Sequence, residues 1–284
     1  PENDFALMRL GVVEYNAGNG KAATEYLKKA LALNPNSKWA HLWNGVIASD
    51  SGDAERAMAD FDKALAVDPR FDLAHYNIAW AYLGQKPKAY NEAEAAFRRA
   101  LALNPNYKQA YYGLGMVFGY QRDYKVARDY LTKALELDQQ FLTALKWRGI
   151  VNEELGNLDD ALADFSAAIS VDPSRADLYV RRSRALIKNS NFTDALEDLQ
   201  FAKRFDPKNA RVELYLSRIY SKLGQKNAAF ESVNAALVLK EGYADALAHR
   251  AELYASKGEL EKAIIDYETA IQNSSYRLDR FHLK

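Results

Sequence analysis

Two ladders of alanine run the length of this sequence and constrain its fold more than any other feature. One comprises Ala23, Ala57, Ala93, Ala127, Ala161, Ala195, Ala229 and Ala263. The other comprises Ala30, Ala64, Ala100, Ala134, Ala168, Ala202, Ala236 and Ala270. Neighbouring rungs are 34 residues apart, with one step of 36 in each ladder. A fixed period of that length means a stack of like supersecondary units, each burying an apolar face against the next. Such a stack offers a long surface to another molecule and has no obvious catalytic centre.

The punctuation within one period is regular. Numbering each unit from 1 to 34, with the second unit running from Lys38 to Phe71, prolines 35, 69, 105, 173 and 207 all stand at position 32. Gln139, Glu241 and Ser275 take that place elsewhere. Proline cannot continue a helix and so marks the break between units. A second break falls near position 15, at Gly18, Gly52, Gly156, Gly224 and Gly258, where glycine permits the positive φ that ends a helix. Each unit is thus expected to hold two helices, A and B, of about a dozen residues. Position 8 is small throughout (Gly11, Gly45, Ala79, Gly115, Gly149, Ser183, Ser217, Ala251), which lets the two backbones approach closely. Position 24 is bulky, as in Phe61, Phe97, Phe165 and Tyr267, and shares one face of helix B with the alanines at 20 and 27.

Composition narrows the function classes. With 49% hydrophobic residues the 284-residue chain can build a continuous core. Lys+Arg and Asp+Glu both total 38, so no bulk charge draws it to nucleic acid or anionic lipid. The absence of cysteine removes disulfides, thiolate catalysis and cysteine-held metals but leaves cytoplasm and periplasm equally open. No apolar run reaches the roughly 18 residues needed to span a bilayer, so membrane insertion is not expected. A chain that starts at Pro1 without a signal peptide reads as a processed chain or an excised domain.

The pattern resembles the tetratricopeptide repeat, over eight units spanning 4–37, 38–71, 72–107, 108–141, 142–175, 176–209, 210–243 and 244–277. Residues 278–284 then form a truncated tail or the start of a cap. The third unit carries two extra residues in its inter-helix turn, around Gly84–Asn91, and Glu14 and Asn152 replace the usual bulky apolar residue. The resemblance implies an all-α fold, a right-handed α-solenoid of stacked antiparallel helix pairs forming one domain. It also implies a non-catalytic scaffold that holds a peptide in its concave groove. Both ends look cut, which points to continuation into a longer protein or to end-to-end association.

In such proteins positions 2, 5, 6, 9, 12 and 13 of helix A line the groove. The flank is aromatic in the first five units: Trp39, Trp43, Tyr76, Trp80, Tyr112 and Trp147, joined by Phe5, Tyr15, Leu42, Met116 and Tyr120. Tryptophan and tyrosine dominate binding hot spots, although Tyr76 and Tyr112 equally suit packing between adjacent A helices. The flank turns basic in the sixth and seventh units with Arg181, Arg184, Lys188, Arg211, Arg218 and Lys222. Arg184/Arg218 and Lys188/Lys222 are each 34 apart, forming rungs suited to carboxylates, or else a solvated face neutralised by Glu153, Glu154, Asp177 and Asp245. Arginines at position 7 (Arg148, Arg182, Arg250) recur with aspartates at position 23 (Asp164, Asp198, Asp266), which predicts structural ion pairs between helices A and B.

Other constellations carry no chemistry. His41 and His75 face helix packing with no third ligand, so no metal and no cofactor are expected. Glu153–Glu154 and Asp159–Asp160 read as surface pairs beside a turn, and the sequons at Asn191 and Asn273 as chance matches. Two family specialisations are absent: of the carboxylate clamp of chaperone-binding relatives only Asn77 matches, and position 6 carries no asparagine ladder. The expected partner is a protein or peptide with apolar or aromatic and acidic segments. A self-assembling scaffold, or the recognition arm of a larger enzyme or secretion complex, are the alternatives; nucleic acid is not expected.

Overall fold

The structure, a computed structural model, describes the backbone of residues 3–282 and the side chains of residues 3–274. Sixteen helices and no strands lie among these residues. They are α1 (Asp4–Asn16), α2 (Gly20–Leu33), α3 (Lys38–Asp50), α4 (Ala54–Val67), α5 (Asp72–Gly84), α6 (Tyr90–Leu103), α7 (Lys108–Tyr120) and α8 (Tyr124–Leu137). After them come α9 (Leu142–Leu155), α10 (Leu158–Val171), α11 (Ala176–Lys188), α12 (Phe192–Phe205), α13 (Ala210–Lys222), α14 (Lys226–Leu239), α15 (Ala244–Ser256) and α16 (Leu260–His282). Odd-numbered helices are the A helices, and each starts on the first residue of an expected unit. Of the tail 278–284, the backbone as far as His282 continues α16; its side chains, like that of Ser275, lie outside the described residues.

The punctuation acts as its chemistry dictates. Gly18, Gly52, Gly156, Gly224 and Gly258 all have φ near +80°, between 73° and 83°. Where the fourth and sixth units lack glycine, Arg122 (φ 64°) and Ser190 (φ 60°) adopt the same left-handed turn. Asn3, Ser37, Asp53, Asp123, Asn191 and Asn209 cap the helices that follow them by accepting backbone N–H bonds.

The helices group into two compact units, residues 1–151 and 152–284, and the division falls within α9. In the first, α1/α2, α3/α4, α5/α6 and α7/α8 pair as hairpins, and each A helix also touches the next. In the second, α11/α12, α13/α14 and α15/α16 do the same. All sixteen ladder alanines are buried. Opposite them Leu27, Phe61, Phe97, Leu131, Phe165, Leu199 and Val233 are fully buried at position 24, whereas Tyr267 in α16 is exposed. Helices A and B are so close that a Cβ on Gly45 would sit 2.5 Å from the Phe61 ring. A Cβ on Gly115 would sit 2.6 Å from Leu131.

Two structural roles expected of side chains hold, with an addition. Arg182 grips Asp198 through Nε and Nη2 at 2.8 and 2.6 Å, and Arg250 grips Asp266 at 2.7 and 2.8 Å. Each arginine also reaches back to the preceding B helix, Arg182 to Ser166 Oγ and Arg250 to Asn234 Oδ1, as Arg148 does to Thr132 Oγ1. One side chain thus ties two units together. His41 Nε2 lies 2.8 Å from the Pro35 carbonyl, and Tyr179 at the same position donates to the Pro173 carbonyl at 3.0 Å. His75 likewise has the Pro69 backbone as partner, so position 4 secures the proline turn before it.

Candidate interaction surfaces

The six aromatic candidates lie within residues 1–151, and each of them touches at least one other ring. Tyr76 meets Trp80 (6.2 Å between ring centres), Phe97 (5.9 Å) and Tyr107 (4.9 Å), and Trp80 meets Tyr112 (6.2 Å). Tyr112 packs on Phe141, Trp147 on Tyr120, and Trp43 on Tyr15. Trp39 is 41% exposed and stacks edge-on against Phe71 at 4.8 Å. Trp43, Tyr76, Trp80, Tyr112 and Trp147 are half-buried, so they form a ladder along the A helices that still presents ring surface. Leu42 and Met116, expected on this flank, are instead buried, because their side chains point into the helix packing. Burial pushes the Tyr76, Tyr107 and Tyr112 phenols up. The Tyr15 phenol is raised to about 12 by burial and by its hydrogen bond to Asp50.

The six basic candidates lie in the second unit and divide into two groups. Arg184 Nε and Lys188 Nζ both reach Glu153 Oε1 at 2.7 Å, and Arg184 also approaches Glu154 at 3.5 Å. Glu153 thereby corrects the reading of an acidic surface pair. Its side chain is 0% exposed, and two cations from the next A helix compensate the charge that burial would otherwise leave alone. Glu154, Asp159 and Asp160 are exposed, as expected. Arg211, Arg218 and Lys222 are exposed, and the Arg218 guanidinium lies 5.9 Å from the centre of the Tyr215 ring.

Of the basic candidates, Arg181, Arg184 and Arg211 border an open depression of about 590 Å³ between α11 and α13. Arg181, Arg184, Lys208, Arg211 and Lys240 supply its positive charge, Tyr215 and Tyr243 its aromatic rings, and Asp177 and Asp206 line it too. Burial, followed by the repulsion of Arg184, pulls the half-buried Arg181 below its ordinary range, and Arg211 adds to that repulsion. Glu153 and Asp177 oppose that pull, so the depression combines an excess of cations with nearby carboxylates. Sequence reasoning missed Lys208, Lys240, Tyr215 and Tyr243. Tyr215 occupies flank position 6 and was legible, whereas the others stand next to proline-type turns outside helix A.

Among the described residues no group of three or more metal-ligating side chains is arranged to hold an ion, and no helix is long and apolar enough to cross a membrane.

Comparison with known proteins places the pattern. Family models described as the tetratricopeptide repeat match residues 44–108, 88–118, 112–177 and 180–244, and residues 6–37 and 244–275. Among solved structures, YrrB, titled a TPR protein with an unusual peptide-binding site, is 28% identical at a TM-score of 0.53. The match covers 66% of this chain and 96% of YrrB. PilF from Pseudomonas aeruginosa is 20% identical over 76% of this chain and 97% of its own, with a TM-score of 0.66. A tetratricopeptide repeat protein from Parabacteroides merdae is 19% identical over 92% and 98%, with a TM-score of 0.60. These last two likenesses concern the fold alone. No curated protein sequence matches the chain.

Proposed function

Because this chain belongs to the tetratricopeptide repeat family, whose members are generally non-catalytic scaffolds that bind peptides or proteins, we propose that it captures a peptide segment of a partner protein along its A helices. The observation that carries the proposal is the depression between α11 and α13, where Arg181, Lys208, Arg211 and Lys240 outnumber Asp177 and Asp206, with Tyr215 and Tyr243 beside them. Guanidinium forks in such a setting favour carboxylates, and the flat rings favour the apolar stem of an extended chain. An acidic stretch of the partner docks there. An apolar or aromatic stretch docks on the ring ladder of the first unit, with Trp39 as its most accessible member. The peptide-binding site of YrrB supports a peptide as the ligand class. Arg184 and Lys188 serve mainly to neutralise Glu153 and contribute less than Arg181, Arg211 and Arg218.

The test is selection from a random peptide library on the folded protein, repeated with Arg181→Ala/Arg211→Ala and with Trp39→Ala/Trp43→Ala. The expected peptides are acidic with flanking aromatic residues, and the arginine variant loses at least tenfold in affinity while keeping its helical signal. Equal affinity in the folded arginine variant, or selection of basic peptides, would contradict the assignment.

A further inference from the structure

Away from the A helices, α12 carries an exposed stripe unlike that of any other B helix. Ala195, Asp198, Leu199 and Ala202 form its buried side. Glu197, Gln200, Phe201, Arg204 and Phe205 lie on the opposite side at helical spacing, and all five are exposed. Position 26, here Phe201, is Lys29, Lys63, Arg99, Lys133, Ala167, Ala235 and Thr269 in the other B helices. Phe201 and Phe205 are 44% and 51% exposed, although each stacks on the buried Tyr179, at 5.6 and 6.2 Å between ring centres. The stack holds both rings in place and leaves them open to solvent. Glu197 and Arg204 stand on either side of Phe201. Seven residues apart, they are separated by about 10 Å along the helix axis and do not pair with each other. Among the described residues neither has an ion-pair partner, and the Arg204 guanidinium lies 5.3 Å from the centre of the Phe201 ring.

We infer that a second copy of this chain docks on this stripe, the two α12 helices packing antiparallel about a two-fold axis beside Gln200 and Phe201. The argument is charge complementarity of the stripe with itself. Its acid and its base lie equally far from a midpoint between Gln200 and Phe201, with the exposed ring at the centre. Turned end for end, a second stripe offers Arg204 to the first copy's Glu197 and Glu197 to its Arg204, and brings the phenylalanines together between them. Parallel packing would set acid on acid and base on base. A foreign partner would not call for this symmetry. Antiparallel helices also place opposite dipole ends side by side. Because one patch serves both copies, association closes at a dimer. The surface is distinct from the A-helix residues assigned to peptide capture and leaves them free.

The experiment is mass against concentration by sedimentation on residues 1–284, with helical signal read alongside. The variants are Glu197→Arg, Arg204→Glu, an equimolar mixture of the two, and the exchange Glu197→Arg/Arg204→Glu. All four substitutions fall on exposed positions, so the helical signal is expected to be unchanged. The wild type is expected to pass from monomer to dimer and no further. Each single variant sets like charges against each other at both contacts, and its dimerisation weakens by about tenfold or more. Mixing the two single variants restores opposite charges at both contacts, and dimers form again, as they do with the exchange. A wild type that stays monomeric or grows beyond a dimer, single variants that dimerise like the wild type, or a mixture that stays monomeric would overturn the inference.

Discussion

Arg182 shows how much one side chain carries in this fold. Its partner Asp198 has a side chain only 4% exposed, and burial pushes that carboxyl up while Arg182 pulls it down. Arg182→Leu leaves a buried charge unpaired and also cuts the tie to Ser166. The expected loss is about 2–4 kcal/mol, below the full figure for a buried pair because the arginine is itself partly exposed. With its folded pKa above its unfolded value, Asp198 favours folding most when protonated, and that contribution fades as pH rises through the folded pKa. The variant's deficit is therefore greatest at neutral pH and shrinks on acidification, which denaturant melts at two pH values measure. Tyr15 gives the opposite end of the scale. Its phenol is raised from 10.0 to about 12, so the stability it contributes is complete below pH 10 and is lost between about 10 and 12. Phenolate absorbance followed alongside helical signal should show a late-titrating group of tyrosines, Tyr15 and Tyr76 among them; simultaneous ionisation of all eighteen near 10 would contradict this.

Between helices, the controlling quantity is how closely A and B can approach. Gly45→Ala drives a methyl into the Phe61 ring and is expected to cost about 1–3 kcal/mol. Adding Phe61→Val should recover most of it, since the seventh unit already pairs Ser217 with Val233 at these two positions. The turns offer the converse change. Arg122→Gly removes a left-handed non-glycine residue and should stabilise by about 0.5–1 kcal/mol, visible as a higher melting temperature. These elements were legible because proline, glycine and alanine act locally and at fixed spacing. Side chains that meet across a turn were not. Lys38 and Lys108 bind Asp68 and Asp138, while the neighbouring units use Asp4 with Asn34 and Asp72 with Asn104 at the same two places. The pairing alternates from unit to unit in this half of the chain, so no single consensus position reveals it. Glu153 was legible as a charge that could neutralise Arg184 and Lys188 but not as a buried one, since its cover comes from the next A helix some thirty residues on. Glu153→Gln releases Arg184 and Lys188 from that carboxylate. It is expected to raise affinity for an acidic peptide severalfold, and binding unchanged from wild type would limit the site to Arg181, Arg211 and Arg218.

For the molecule as a whole, repetition fixed the architecture, and departures from repetition mark where a partner would act. Net charge is zero, yet the second unit concentrates arginine and lysine around one depression while the first lines its A helices with rings. The period assigned these aromatic and basic residues to A helices, where they lie. It could not show that most of the rings lean on one another, because ring contacts depend on rotamers that spacing does not encode. The peptide-capture account rests on contact with the A helices, and photo-crosslinking tests this most directly. An acidic peptide carrying a photoreactive residue would be bound, irradiated and mapped by mass. The account predicts adducts on α11 and α13, around Arg181, Arg211 and Tyr215, that disappear at high salt. Adducts confined to α12 and α14, or none with a peptide that binds, would contradict it.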